Sequence, residues 1–348
     1  MIIGAIRSIV RDNIAEIDIT ELLYNHHCDY LLKKNGGLNE YLNKISEIEQ
    51  WNRKRVAERY AACKELFYYL EKNAIPYAVI KGAVLSGVLY GDCSLRKSGD
   101  IDILVCREDV ERVKTFLGAS GFVQGRIVDG DIKPFSRHEL LFQSTMSHQI
   151  APFVKYCDKK KRMHVEVDIN MDIMWGESAF KSDMLFVLKN TEPICIFNTQ
   201  IRKLMKEMEF IALCLHHYKD MNSIYLLVER QLNLNLFCDI FLYIKNSELS
   251  LCKLRDFCTK LNVTQYIYYC LYYTNLIFDD AELKQYVDEL KTLEAETILD
   301  SFGLCECEQQ KWDVDFMDRL FKIDISKYLQ KKLTPDQKKK IEANRMWM

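Results

Sequence analysis

Two aspartates, Asp100 and Asp102, stand one residue apart at the head of the apolar run in SGDIDILV. In an extended strand successive side chains point to opposite faces, so these carboxylates share one face while Ile101 and Ile103 take the other. Like charges held that close raise one another's pKa unless a cation lies between them, which points to a metal. A second acidic stretch, Met163–Ile169 (MHVEVDI), repeats the pattern with His164, Glu166 and Asp168 on one face and Val165, Val167 and Ile169 on the other. Carboxylates from two neighbouring strands make an oxygen-only donor set. Such a set suits Mg²⁺, which prefers carboxylates, water and substrate phosphates to nitrogen or sulfur.

Several elements must position these residues. Residues 38–72 contain no Gly or Pro and carry apolar residues at helical spacing, so one long helix or two abutting helices are expected, ending at Asn73 before Pro76. Pro76–Lys81 reads as a short strand, and Gly82 begins a turn into the helix AVLSGVLYG. Residues 96–99 form a loop, Ile101–Cys106 a strand, and Glu108–Leu117 a helix whose acidic first turn suits the helix dipole. His138–Gln143 (HELLFQ) and Met163–Ile169 are expected as further strands, compatible with antiparallel pairing across a polar connection containing KYCDKKKR. From about Gln200 the character turns helical. The expected organisation is an N-terminal helical segment over 1–74, a core over 75–175 and a helical C-terminal domain over 176–348.

The ordered combination in KGAVLSGVLYGDCSLRKSGDIDILV (strand, Lys-Gly turn, short helix, Tyr, Arg, Gly-Asp-Ile-Asp) with one more acidic strand downstream resembles the nucleotidyltransferase superfamily of DNA polymerase β. It is most similar to a bacterial nucleotidyltransferase-like branch. The resemblance covers roughly residues 75–170 and implies an α+β fold, a small mixed sheet flanked by helices. It implies that Asp100 and Asp102 hold two divalent ions, Mg²⁺ with Mn²⁺ as an alternative, and that Asp168, or Glu166 in its place, is the third carboxylate. Gly82 would let backbone approach a triphosphate, with amides of the following helix as donors. Lys81, Arg96 and Ser98 would contact nucleotide. The implied reaction transfers a nucleoside monophosphate, AMP from ATP, to a hydroxyl of a small molecule or a protein.

The pair Gly82-Ala83 departs from the superfamily's usual Gly-Ser or Gly-Gly, so Lys81 or Ser86 would have to replace the missing hydroxyl. That departure keeps open a nucleotide-binding or interaction protein on the same fold without turnover, and adenylylation of a protein partner is a further alternative. A formal net charge of −2 removes the global basic excess of a general nucleic-acid binder, so nucleic acid is not an expected partner. The 13 cysteines include no CxxC pair, and Cys305 and Cys307 stand too close for a zinc knuckle. They read as reduced thiols of a cytoplasmic protein. No run reaches the ~18 apolar residues of a membrane span. His216 and His217, adjacent on an expected helix, point about 100° apart and read as structural. Lys219 could reach phosphate, and His138 and His164 could line a cleft if their strands pair. His26-His27-Cys28 lacks partner ligands at zinc spacing, and the lysine-rich end reads as a solvated helix.

Overall fold

The computed structural model describes residues 39–345 except 97, 147–148, 159, 161–162, 177 and 230, so the His26-His27-Cys28 reading lies outside the described residues. The chain folds as two compact units. The first, residues 39–213 and 246–249, is an α+β unit built on a sheet. Two helices open it, α1 (Asn39–Ala62) and α2 (Lys64–Lys72), which break at Cys63 and so realise the abutting pair. Next come β1 (Tyr77–Ile80), α3 (Gly82–Tyr90), β2 (Ile101–Val105), α4 (Val110–Ala119), β3 (Val123–Val128), β4 (Asp131–Pro134) and α5 (Arg137–Met146). The unit continues through β5 (Phe153–Asp158), β6 (Met163–Asn170), α6 (Met184–Lys189), β7 (Thr191–Ile196) and β8 (Thr199–Leu204), into α7 (Lys206–Asn222).

These strands form one eight-stranded mixed sheet in the order β4-β3-β5-β6-β2-β1-β8-β7. At its centre β2 runs antiparallel to β1 and parallel to β6. Alternation along these strands sorts the side chains. Tyr77 and Val79, Ile101, Ile103 and Val105, and Val165, Val167 and Ile169 join a core with Tyr60, Phe67 and Leu70 of α1 and α2 and Val113 and Leu117 of α4. Burying a side chain of that size is worth about 1.5–3 kcal/mol, so this alternation fixes the register and leaves the acidic positions on the other face.

Two expected features differ. His138–Gln143 is part of helix α5, because Ser136 and Glu139 form a capping box: the Ser136 amide donates to Glu139 Oε2 at 2.7 Å and the Glu139 amide to Ser136 Oγ at 3.3 Å. The strand that pairs antiparallel with β6 is instead β5, with Val154 opposite Glu166 and Tyr156 opposite His164. Residues 191–204, expected in the helical C-terminal domain, form the β7–β8 hairpin, and β8 joins the sheet beside β1. The expected boundary at 175/176 thus falls inside the first compact unit.

The second unit takes residues 214–245 and, of the described chain, 250–345. It is helical, with α8 (Ile224–Leu227), α9 (Leu234–Ser247), α10 (Leu251–Leu261), α11 (Thr264–Phe278), α12 (Ala281–Leu290) and α13 (Leu293–Thr297). A two-stranded β9 (Ser301–Phe302) and β10 (Gln310–Lys311) follows, then α14 (Phe316–Phe321), α15 (Ile325–Lys332) and α16 (Pro335–Arg345). Phe237, Tyr243, Tyr268 and Tyr269 are fully buried here. No helix among the described residues is long and apolar enough to cross a membrane.

Candidate active site

Parallel pairing of β2 with β6 puts Asp102 directly opposite Asp168, and antiparallel pairing with β1 puts it opposite Ile80. Asp100 stands two residues back along the β2 line on the same face, and Glu166 two residues back along β6. Asp102 is buried; Asp100, Glu166 and Asp168 are half-buried. Asp102 Oδ1 lies 3.3 Å from the Lys81 ammonium and accepts a hydrogen bond from Asn170 Nδ2 at 3.1 Å. Asn170 continues the face of Glu166 and Asp168 by one more alternation, a position the acidic pattern alone did not single out.

Lys81 reaches Asp102 from a backbone of unusual shape. Its φ of 58° with ψ of −149° falls in a region that residues with a Cβ rarely occupy, as the chain turns from β1 into α3. Gly82 follows at φ +44°, and a Cβ there would stand 2.9 Å from Ser98 Oγ. The turn and the loop before β2 therefore touch. Ser98 Oγ donates to the Asp100 carbonyl at 2.9 Å, so this hydroxyl shapes the entry to β2. Ser86 is fully buried, donates to the Asp92 carbonyl at 2.7 Å and accepts from the Arg96 amide at 3.0 Å. It ties down the loop and is not available to replace a phosphate-binding serine. Arg96 is partly exposed on that loop, which Asn52 of α1 holds through the carbonyls of Ser94 and Arg96.

Sequence reading missed Arg59. This α1 residue is 2% exposed, and its guanidinium donates to the carbonyls of Ser98, just before β2, and His164, on β6. It thereby joins the approaches of both acidic strands from more than thirty residues upstream. Its charge faces Asp100 and Glu166, while its Nη2 has no partner. Of the other histidines singled out in the sequence, His138 is on α5, His216 lies 3.5 Å from Asp220, and buried His217 lies 3.5 Å from Asp239. Lys219 lies on α7.

The carboxylates are short of positive charge. Burial first, then the charges of Asp102, Asp100 and Glu166, push the Asp168 carboxyl up to about 8 against the opposing pull of Lys81. Burial and Asp102 raise Asp100, and burial and Asp100 raise Glu166, with Arg59 opposing both rises. Asp168 Oδ1 is buried without a hydrogen-bond partner. Among the described residues no three His, Cys, Asp or Glu side chains converge closely enough to hold a metal by themselves. The chemistry of the donors still fits a hard divalent cation: carboxylate oxygens from adjacent strands, one of them orphaned, in a cluster that repels itself.

A carboxyl whose folded pKa is raised from 3.8 to about 8 costs nothing below the unfolded value and progressively more as pH climbs between the two. In EDTA, Asp168→Asn is therefore expected to gain stability over wild type on going from pH 4 to pH 8.5. At 1.36 kcal/mol per unit and heavily discounted for relaxation and water entry, the gain is about 2 kcal/mol. Urea unfolding at the two pH values checks it, and a pH-independent difference would contradict it.

The fold is α+β with a mixed sheet flanked by helices. The chain belongs to the family described as uncharacterised nucleotidyltransferases, whose model matches residues 16–279. Among solved structures it is similar to an antigenic nucleotidyltransferase-like protein from Paracoccidioides brasiliensis, at 14% identity, with 67% of this chain and 93% of that chain covered and a TM-score of 0.35. A likeness that distant carries no part of the argument. No curated protein matches.

Proposed function

We propose that this chain is a Mg²⁺-dependent, cytoplasmic nucleotidyltransferase that moves a nucleoside monophosphate, AMP from ATP, onto a hydroxyl of a small molecule or protein and releases pyrophosphate. The observation that supports it most directly is the β2–β6 register, which sets Asp102 opposite Asp168 with Asp100 on the same face. Asp100, Asp102 and Asp168, with Glu166 as substitute, would hold the metal. Bound there, Mg²⁺ or Mn²⁺ supplies charge neutralisation at the phosphates and a more acidic acceptor hydroxyl.

The chain's own residues bind and orient. Lys81 carries a partly exposed ammonium beside Asp102 and can exchange that partner for nucleotide phosphate. The tight turn at Gly82 brings backbone close to a ligand at the start of α3, whose first amides lack intrahelical acceptors and favour an anion. Arg96 adds a charge near the loop, and Ser98 keeps the Asp100 carbonyl in place. Asn170 fixes the orientation of the Asp102 carboxylate.

A second reading, nucleotide binding without turnover, draws on one observation: the Lys81 ammonium already sits on Asp102, beside an alanine at the usual phosphate-binding position. Thermal unfolding with ATP, GTP, CTP and UTP, each with and without Mg²⁺, tests binding. One nucleotide is expected to stabilise by about 2.7 kcal/mol at a hundredfold excess over Kd. That gain should require Mg²⁺ and disappear in Asp100→Asn/Asp102→Asn. No shift with any nucleotide would overturn both readings, whereas a shift without release of pyrophosphate would favour the second.

A further inference from the structure

The second unit contains an open cleft of about 920 Å³, at the upper end of the size range of small-molecule sites. Its lining combines groups of opposite demand. Arg319 is 3% exposed, and its guanidinium lies 4.6 Å from the centre of the Trp312 ring, 5.4 Å from that of Phe316 and 5.5 Å from that of Tyr273. All three rings line the cleft. Arg319 Nη2 donates to the Tyr273 hydroxyl at 3.2 Å, and Nε has no partner. Among the described residues no carboxylate stands within ion-pair distance of this guanidinium. Stacking on aromatic faces offsets only part of the cost of burying a cation, so Arg319 lacks an anion.

The acidic lining shows the converse. Asp313 is paired with Lys332 at 2.7 Å, Asp318 with Lys322 at 2.8 Å and Glu296 with Lys291 at 2.9 Å. Asp300 and Asp315 are exposed cleft residues with no cation partner among the described residues. Asp315 precedes α14, yet its carboxylate makes no capping hydrogen bond. The cleft thus offers one buried cation without an anion, two rim carboxylates without a cation, and aromatic walls. A polyanion would meet the acidic rim and a polycation the buried guanidinium. A small molecule bearing both signs meets neither objection.

We propose that this cleft binds a free α-amino acid, its carboxylate on Arg319, its ammonium at Asp300 and Asp315, and its side chain against Trp312 and Phe316. Guanidinium and carboxylate match in a two-point hydrogen-bonded pair, and aromatic walls bury an apolar side chain with little loss of conformational freedom. The proposal does not rest on nucleotidyl transfer.

The test uses the full chain and the twenty common L-amino acids, each at about 5 mM, with the unfolding midpoint as first readout. The strongest stabiliser is then titrated calorimetrically beside its decarboxylated amine and its deaminated acid. The amino acid is expected to bind at least tenfold more tightly than either. Asp315→Asn, an exposed change, should weaken the amino acid about fivefold and leave the deaminated acid unchanged, because only the former uses the rim carboxylate. The proposal is overturned if no amino acid shifts the midpoint, if a truncated analogue binds as tightly, or if Asp315→Asn weakens both ligands equally.

Discussion

Asp102→Asn is expected to lower the Mg²⁺-dependent release of pyrophosphate from ATP at least ~1,000-fold, about 4 kcal/mol of transition-state stabilisation, while the protein stays folded. Asp102 is the most enclosed of the four carboxylates and the one around which the others are arranged: Asp168 opposite, Asp100 two residues back, Lys81 and Asn170 on its Oδ1. Asparagine keeps a carbonyl oxygen for Asn170 and Lys81 but removes the charge, so folding should change by about 1 kcal/mol, the scale of one hydrogen bond. Slow transfer to water, followed as pyrophosphate, provides the readout before any acceptor is known, with circular dichroism and urea unfolding as controls. Turnover within twofold of wild type would remove Asp102 from the reaction. Equal loss of turnover and of folded protein would reduce it to a structural residue.

The parts of this site that could be read from sequence are those whose signal is local. Alternation in GDIDILV and MHVEVDI needs only the two-residue period of a strand, and the faces it assigns are those of β2 and β6. The Gly82 turn was equally local, announced by a glycine between an apolar strand and an apolar helix. HELLFQ misled because its apolar run resembles a buried strand, while the helix signal lay in Ser136 and Glu139 at capping-box spacing just before and within it. Strand β5 was obscured by the lysines of KYCDKKKR, which suggested a solvated connection. The β7–β8 hairpin turns through Phe197 and Asn198, both at positive φ, and only the asparagine is a turn residue by composition. Its union with β1 depends on parallel pairing across more than a hundred residues, and no window of sequence contains it. The same holds for Arg59, whose partners are remote backbone carbonyls, one in the loop before β2 and one on β6. Carbonyls exist at every position and leave no mark in the sequence.

Arg59→Met is expected to destabilise the metal-free protein by about 3 kcal/mol at pH 8 and by distinctly less at pH 5. Two contributions add. The carbonyls of Ser98 and His164 lose a buried donor, a cost that does not depend on pH. Asp100 and Glu166 also lose the cation that opposes their raised pKa values, so both move further upward. A carboxyl with a raised folded pKa penalises the native state only above its unfolded pKa, and increasingly so up to the folded one, which places the extra cost at the alkaline end. Arg59→Lys should recover part of the alkaline loss by restoring charge, and little of the acid one, because a single ammonium does not reproduce the planar fork that spans two carbonyls. Urea unfolding of all three proteins in EDTA at the two pH values separates the contributions. A loss of equal size at both would leave Arg59 as a tie between strands with no electrostatic role. If the excess loss at pH 8 vanishes when Mg²⁺ is added, leaving the loss seen at pH 5, then Arg59 holds, in the metal-free protein, charge that the ion later neutralises.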